Sequence, residues 1–311
     1  MKKISILVPC YNEEEVLPLF LQAIRPVMSD KQYAWELLLV DDGSNDGTLH
    51  VMEQAHQQDE RIHYIELSRN FGKENALMAG LDHVSGDAVV IIDADLQHPV
   101  SAIPDMIRKW EEGYDDVYAR RLTRGKERWG RRILSKWYYA LLQASSDTNI
   151  YPNVGDFRLL DSSCIRALRT MRETDRYTKG MYAYIGFRKT SIDFAQEERV
   201  AGRSKWGFGK LVRLAIDGIL SSSIKPLQIA TKTGVTVSLI SFLYLVYVFV
   251  KALLYGDPVR GFPTLIIVIL FLGGLQLLSI GILGEYIGRI FHESKRRPSY
   301  FIRTHDGKKT N

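Results

Sequence analysis

VVIIDADLQHP, residues 89–99, is a run of four aliphatic residues that leads into two aspartates, Asp93 and Asp95. Such an apolar run followed by polar residues is typical of a buried strand that reaches the edge of its sheet. Side chains two residues apart at a strand end lean to the same side. Carboxylates this close repel each other unless a cation lies between them, and hard divalent ions prefer carboxylate oxygens. The stretch therefore predicts a metal site, with an ordinary turn as the alternative.

Apolar runs of the same kind recur on both sides of this stretch. They are ISILVP (4–9), WELLLV (35–40), IHYIEL (62–67) and the shorter DVYA (116–119). Helical patterns separate them at Glu14–Met28, Gly47–Gln58, Lys73–Val84 and Val100–Glu112. The alternation predicts an α/β fold with a mostly parallel sheet that is covered on both faces.

The carboxyl ends of the predicted strands carry the polar motifs of the chain. PCYNEEE (9–15), DDGSNDGT (41–48) and DADLQ (93–97) each follow an apolar run. Ligands of parallel sheets bind at this edge, so we expect the three motifs to converge there. The first strand is not followed by GxGxxG, and the sequence contains no GxxxxGK[ST]. A bound nucleotide would therefore need carboxylates for its base and ribose and a metal ion for its diphosphate.

Net charge and cysteine content limit the possible partners and the environment of the protein. Forty-one Lys and Arg against 36 Asp and Glu give a net charge of +5, which is too small to indicate nucleic-acid binding. The two cysteines, Cys10 and Cys164, match no metal-binding spacing and favour a reduced, cytosolic environment.

The C-terminal third contains two long uncharged segments, Thr233–Val250 with 18 residues and Phe262–Gly284 with 23. Each is long enough to cross about 30 Å of hydrocarbon. We expect two transmembrane helices, at about 232–254 and 262–288. Basic residues lie outside the pair, at Lys225, Lys232, Arg289 and 295–297, so both termini are expected to be cytoplasmic.

Two segments combine basic and aromatic residues. Residues 120–136 hold eight basic residues and one acid, with Trp129 inside the run, and SKWGFGKLVRLAIDGIL (204–220) leads towards the first apolar segment. A solvated helix face is the ordinary interpretation of a basic run. Interleaved aromatics favour binding to an anionic membrane interface.

Six motifs together resemble one family. They are VPCYNEEE, LLVDDGSNDGT, SRNFGKENALMAGLDHVSGD, DADLQHP, NVGDFRLLD and AGRSKWGFGKL, followed by the two apolar segments. The chain is similar along its length to GT-A-fold family 2 glycosyltransferases. It is most similar to the polyprenyl-phosphate branch, which includes dolichol-phosphate mannose synthases and bactoprenol glucosyltransferases. The resemblance implies a catalytic GT-A domain (1–203), a juxtamembrane amphipathic segment (204–228), two transmembrane helices (229–290) and a cytoplasmic tail (291–311). The tail after Pro298 is polar, and we expect it to be irregular.

The resemblance also implies roles for individual residues. Asp93, Asp95 and Asp156 would be catalytic, and Asp93, Asp95 and Gln97 would hold Mg²⁺ or Mn²⁺. The residues implied in nucleotide-sugar binding are Pro9, Tyr11, Glu13, Asp41, Asp42 and Lys73. Those implied around the acceptor phosphate are Arg121, Arg131, Arg158, Arg199 and Lys205. The register at Arg121 and Arg131 leaves a one-residue shift open, to Arg120 and Arg132.

The implied reaction is transfer of a hexose from a UDP-sugar to undecaprenyl phosphate, with inversion, at the cytoplasmic face of the bacterial inner membrane. Glucose ranks first as the sugar and N-acetylglucosamine second, with mannose from GDP-mannose as an alternative. The implied partners are a second copy of the chain, a flippase and a downstream glycosyltransferase, and no nucleic acid. A processive polysaccharide synthase is a further alternative, but GKERW has Gly125 where those enzymes carry Gln. A membrane scaffold that binds a flippase is the non-enzymatic alternative.

Overall fold

The computed structural model describes residues 1–121, 154–173, 176, 178–194, 225–255 and 261–309. The chain divides into two units. The first consists of Met1–Arg213 together with Arg297–Asn311, and the second of Leu214–Arg296.

The first unit alternates strands with helices, as its apolar runs predict. The first five strands are β1 Lys3–Cys10, β2 Ala34–Asp41, β3 Ile62–Leu67, β4 Ala88–Ile91 and β5 Asp116–Arg121. The helices between them are α1 Leu17–Met28, α2 Thr48–Gln58, α3 Lys73–His83 and α4 Ile103–Glu111. After residue 153 follow β6 Val154–Asp161, α5 Ser162–Thr170, α6 Thr178–Tyr184 and β7 Lys189–Phe194.

Two helices begin later than their sequence patterns suggest. α1 begins at Leu17 rather than Glu14, and α4 begins at Ile103 because a short 3₁₀ turn occupies Val100–Ala102. In both helices a proline occupies the first turn. This position suits proline, since the N–H that it lacks would have no partner inside the helix.

The continuous apolar strands have helices on both faces of the sheet. In β1, Ile4, Ile6 and Val8 belong to one hydrophobic cluster, which also contains Phe20 of α1. Leu7 belongs to a second cluster that includes residues of α3 and α5. Alternate residues of a strand point to opposite faces, so a strand covered on both faces is apolar at nearly every position.

Strand order in the sheet is β7-β5-β6-β4-β1-β2-β3-β8-β9 among the described residues, where β8 is Ile302–His305 and β9 is Lys308–Lys309. β4, β1, β2 and β3 are parallel neighbours, as predicted. The prediction of a mostly parallel sheet is wrong at the flanks, because β6 lies antiparallel between β4 and β5 and β8 lies antiparallel to β3. The insertion of β6 brings the middle of this strand beside the carboxyl end of β4, where Arg158 pairs with Ile91.

The C-terminal tail, which we expected to be irregular, forms a β-hairpin. β8 Ile302–His305 pairs with β3 and with β9 Lys308–Lys309. Asp306 and Gly307 connect the two strands with φ of +48° and +75°. An Asp-Gly pair suits a two-residue turn of this kind, since both positions need positive φ. This dipeptide is the sequence signal that the expectation overlooked.

The second unit contains two long helices that contact each other, α7 Lys225–Tyr255 and α8 Phe262–Ser294. Within the described residues, one segment is long and apolar enough to cross a membrane, Phe271–Ser294 of α8. The predicted two-helix transmembrane hairpin therefore has one candidate span, and α7 as a second span remains a prediction.

Candidate functional site

A cavity of about 290 Å³ opens at the carboxyl ends of β1, β2 and β4. β1 lies between β4 and β2 in the sheet, which is why the loops after these strands meet. The residues that line the cavity are Pro9, Cys10, Tyr11, Glu13, Asp42, Asn70, Gly72, Lys73, Ala76, Asp93, Ala94 and Asp95. The structure thus brings together most of the residues for which the sequence implied donor or metal binding.

The loop after β1 is held against the loop after β2 by hydrogen bonds between side chains and backbone. The N–H of Asn12 donates to Ser44 Oγ at 2.9 Å, and the N–H of Glu13 donates to Thr48 Oγ1 at 2.8 Å. In the opposite direction, the N–H of Asn45 donates to Asn12 Oδ1 at 2.9 Å. Asn12 has a φ of +56°, a conformation that asparagine tolerates better than most residues. These bonds fix both loops at the rim of the cavity.

Asp41 and Asp42, both implied in nucleoside binding, have different surroundings. Asp42 lines the cavity, and its carboxylate accepts the N–H groups of Phe71 at 2.7 Å and Gly72 at 2.9 Å. Asp41 is 1% exposed, is not among the lining residues and accepts the N–H of Ser44 at 3.2 Å. Burial raises the pKa of both carboxyls. Asp41 therefore stabilises the loop after β2 from the protein interior, whereas Asp42 faces the cavity.

The turn after Asp42 requires glycine. Gly43 has a φ of +67°, and a Cβ at this position would lie 2.5 Å from the backbone carbonyl carbon of Arg69. Only glycine allows the loop after β2 to approach the loop after β3 this closely.

Asp93 and Asp95 lie just beyond the end of β4, as the sequence predicts, and both line the cavity. The N–H of Gln97 donates to Asp95 Oδ1 at 3.1 Å, which closes the turn on this carboxylate. Leu96 between them has a φ of +56°. Gln97, the third implied metal ligand, is not among the residues that line the cavity.

The ammonium group of Lys73 lies between two carboxylates from different strands. Its Nζ is 2.6 Å from Asp93 Oδ1 and 3.0 Å from Asp156 Oδ2. Burial alone would lower the pKa of Lys73, but the two carboxylates raise it above its ordinary value. Burial alone would raise the pKa of Asp156, but Lys73 and then Lys179 lower it. Lys73 and Asp156 are therefore both ionised at neutral pH, and Lys73 is a neutralising charge that the sequence argument from Asp93 and Asp95 overlooked.

Asp156 comes to this position because β6 runs antiparallel to β4. Its Oδ1 is buried and has no hydrogen-bond partner among the described residues. Glu74, next to Lys73 in α3, was missed by sequence reasoning. Burial, followed by the charge of Asp156, raises the pKa of Glu74 to about 7. Nothing in the pattern of NFGKENAL distinguishes Glu74 from an exposed acid in the first turn of a helix.

Arg158, implied at the acceptor phosphate, lies in the interior instead. It is 3% exposed, and its Nη1 is 3.1 Å from Asp116 Oδ2. Its guanidinium stacks on the ring of Tyr182 at 3.6 Å from the centroid. A guanidinium can be buried in the interior of a protein only where an opposite charge and close packing compensate its loss of water. We therefore assign no acceptor contact to Arg158.

The other basic residues implied at the acceptor phosphate are only partly open to description. Arg121 ends β5, and its neighbour Arg120 pairs with Asp193 of β7 at 2.7 Å. Arg131, Arg199 and Lys205 lie outside the described residues, as do the basic run beyond Arg121 and the segment 204–220. Their roles remain predictions from the sequence.

The salt bridges of Lys73 lead to a test with a defined pH dependence. In Lys73→Met the buried Asp156 loses its nearest cation, so its pKa should rise above the unfolded value of about 3.9. Folded protein then binds a proton that unfolded chain has released, so stability falls as pH rises from about 4 towards neutrality. In the parent protein the lowered pKa of Asp156 acts in the opposite sense, adding stability above about pH 4. We expect a loss of about 1–2 kcal/mol at neutral pH and a smaller loss at pH 5, measured by thermal unfolding.

Lys179→Met is the matched control. Lys179 lowers the pKa of Asp156 less than Lys73 does, so this variant should lose less stability at neutral pH than Lys73→Met. An equal loss for Lys73→Met at both pH values would contradict this account of the site.

Comparison with known proteins supports a single family. Residues 5–169 match the model of glycosyl transferase family 2, and residues 225–290 match the GtrB C-terminal hairpin. The chain is 44% identical to the bactoprenol glucosyl transferase of Shigella phage SfV, over 97% of this chain and 98% of that protein. It is 40% identical to the prophage bactoprenol glucosyl transferase homolog of Escherichia coli K12, over 97% and 98% of the two chains.

A solved structure shares the fold over most of this chain. It is glucosyl-3-phosphoglycerate synthase from Mycobacterium tuberculosis in complex with Mn²⁺, UDP-glucose and phosphoglyceric acid, with a TM-score of 0.50 and 20% identity over 71% of this chain and 79% of that one. The α/β architecture is therefore GT-A-like. The chain belongs to glycosyl transferase family 2, carries the C-terminal hairpin of the GtrB type, and is a glycosyltransferase.

Proposed function

We propose that this enzyme transfers glucose from UDP-glucose to undecaprenyl phosphate, with inversion, at the cytoplasmic face of a bacterial inner membrane. The observation that carries the proposal is the cavity at the carboxyl edge of the sheet, where Asp42, Lys73, Asp93 and Asp95 line one space. Relatives of 40–44% identity along nearly the whole chain are named bactoprenol glucosyl transferases, which supports both the sugar and the lipid.

The nucleoside is assigned to the part of the cavity between the loops after β1 and β2. Tyr11 is 38% exposed there and offers an aromatic face, while Pro9, Glu13 and Asp42 line the adjacent wall. Base stacking on an aromatic ring and hydrogen bonds from ribose hydroxyls to carboxylates use these groups directly. The hydrogen bonds between the two loops keep this part of the cavity in one conformation.

Asp93 and Asp95 suit a divalent ion. They offer carboxylate oxygens at one rim of the cavity, which is the ligand type that Mg²⁺ and Mn²⁺ prefer. The donor diphosphate would supply further oxygen ligands, and Gln97 supports the turn through Asp95. When bound, the ion supplies Lewis-acid stabilisation of the leaving diphosphate.

In the reaction, an oxygen of the acceptor phosphate attacks the anomeric carbon of the sugar. The bond from this carbon to the diphosphate oxygen breaks, and UDP leaves with the bonding electrons. An acceptor phosphate is largely ionised at neutral pH and needs little help from a base, so we assign Asp156 to positioning. Asp156 holds the ammonium of Lys73 beside Asp93. From this position the ammonium can also neutralise negative charge on the departing diphosphate.

The membrane hairpin brings a lipid acceptor and a water-soluble donor to one enzyme. We propose that α7 crosses the membrane together with α8, with the basic residues Lys225, Lys232 and 295–297 on the cytoplasmic side. The glycosylated lipid would then form in the inner leaflet. A flippase and a second glycosyltransferase are the partners that such a product needs, and homo-oligomerisation is proposed with them.

The decisive experiment compares donors. Purified full-length enzyme is incubated with undecaprenyl phosphate and radiolabelled UDP-glucose, UDP-N-acetylglucosamine or GDP-mannose, and label is counted in the organic phase. We expect label from UDP-glucose and a much lower signal from the other two. Label from another donor alone would overturn the choice of sugar, and no label from any donor would overturn the choice of acceptor.

Asp95→Asn tests the metal assignment. The change removes one carboxylate charge at the end of a strand and no core contact, so folding should be retained while transfer falls by at least about a hundredfold. Unchanged thermal unfolding with lost transfer is the expected pair of results. Full transfer by the variant, or by the parent enzyme in excess EDTA, would refute the metal role.

Arg131→Ala tests the acceptor assignment that comes from the sequence. Losing a charge-assisted contact of about 1.5–3 kcal/mol should raise the apparent KM for undecaprenyl phosphate by roughly ten- to a hundredfold. Affinity for UDP-glucose, measured by calorimetry, should stay nearly unchanged. Arg132→Ala is the control for the one-residue uncertainty of register. A loss of UDP-glucose affinity in Arg131→Ala would instead assign this residue to the donor diphosphate.

A further inference from the structure

A second group of metal-ligand side chains lies at the edge of the sheet, away from the cavity. His56 is at the end of α2, His63 is in β3, and Asp306 is in the turn of the C-terminal hairpin. One potential ligand atom of each residue lies within 4.8 Å of the others. Three elements that are far apart in the chain thus converge on one point.

Asp306 is held in place by the backbone of β3. Its N–H donates to the carbonyl of Tyr64 at 3.0 Å, and its Oδ1 accepts the N–H of Tyr64 at 2.9 Å. Its Oδ2 lies 2.8 Å from Nδ1 of His63. The carboxylate therefore has a fixed orientation before any ion binds.

His56 is also oriented by a neighbour. Its Nδ1 lies 2.6 Å from the carbonyl oxygen of Ile62, so this nitrogen carries the proton and donates. The ring packs edge-on against Tyr64, with centroids 5.7 Å apart. In a metal site this Nδ1, the nitrogen that faces Asp306, would lose its proton and exchange the bond to Ile62 for the ion.

The spacing of the three side chains is close to that of a zinc site. Zn–N and Zn–O bonds of about 2.0–2.2 Å place two ligands of a tetrahedral ion roughly 3.3 Å apart. His63 Nδ1 is 2.8 Å and His56 Nδ1 is 3.9 Å from the nearer carboxylate oxygen of Asp306. Small side-chain rotations therefore bring all three within reach of one ion.

We propose that His56, His63 and Asp306 form a transition-metal site that fastens the C-terminal hairpin to β3, with Zn²⁺ as the expected ion. Two imidazoles with one carboxylate suit Zn²⁺ better than Mg²⁺, which prefers oxygen ligands. The site is separate from the Asp93 and Asp95 pair, and it does not depend on the proposed sugar or lipid.

The position of the hairpin gives the site a structural consequence. The carbonyl of Phe301, just before β8, accepts the N–H of Ser68, just after β3. The ring of Phe301 packs 6.2 Å from that of Phe71, whose N–H is bound by Asp42. An ion that holds the hairpin therefore also stabilises the segment that leads into the cavity wall at Gly72.

The test is a titration of the full-length protein in detergent, purified without a polyhistidine tag, with ZnCl₂ in the presence of excess Mg²⁺. Calorimetry should give one Zn²⁺ per chain, and thermal unfolding should shift upward with added Zn²⁺. Co²⁺ should give the visible absorption of a site with nitrogen ligands. His56→Gln and His63→Gln should each weaken Zn²⁺ binding by at least about tenfold, while their amides still donate hydrogen bonds.

Two controls separate this site from other binding. His50→Gln removes an exposed histidine of the same helix, and Asp95→Asn removes a carboxylate of the cavity, so both should leave Zn²⁺ binding unchanged. Absence of stoichiometric Zn²⁺ binding in the parent protein would overturn the proposal. Zn²⁺ affinity equal to that of the parent protein in His56→Gln and His63→Gln would overturn it as well. So would loss of Zn²⁺ binding in Asp95→Asn.

Discussion

The site depends on compensation of the negative charges that three strand ends bring to one edge of the sheet. Backbone N–H groups compensate Asp42, and the ammonium of Lys73 compensates both Asp93 and Asp156. Carboxylates so close together would otherwise repel and take up protons. For Asp156 the effect is direct, because Lys73 lowers the pKa of this carboxyl and so keeps it ionised at neutral pH.

This compensation is possible only because β6 enters the sheet in the opposite direction to β4. An antiparallel neighbour presents its beginning where a parallel strand presents its end. Asp156 near the start of β6 thereby reaches Lys73, which stands at the start of α3 behind the end of β3. Had β6 been parallel, its early residues would lie at the far edge of the sheet. The mixed flank of the sheet thus places Asp156 beside Lys73, and Arg158 two residues later pairs with the buried Asp116 in the interior.

The sequence predicted those features that depend on local pattern. Continuous apolar runs specified the strands, and their carboxyl ends correctly indicated the edge at which Pro9, Asp42 and Asp93 meet. Features that depend on pairing between distant strands escaped prediction. Both the antiparallel course of β6 and the burial of Arg158 follow from partners that lie far away in the chain, and no short pattern encodes them. The C-terminal hairpin is different, since Asp306-Gly307 is a local signal that could have predicted it.

The hairpin also makes the first unit discontinuous in sequence. The chain leaves this unit for the two long helices and returns at Arg297 to add β8 and β9 beside β3. The edge of β3 therefore stays without its native neighbour until residues beyond α8 have been synthesised, and unpaired edges invite association with other chains. The hairpin can consequently join the sheet only after both long helices have been synthesised. Contacts that hold the hairpin, such as those of Asp306 with Tyr64 and His63, then act on the last step of folding and not on the formation of the parallel centre.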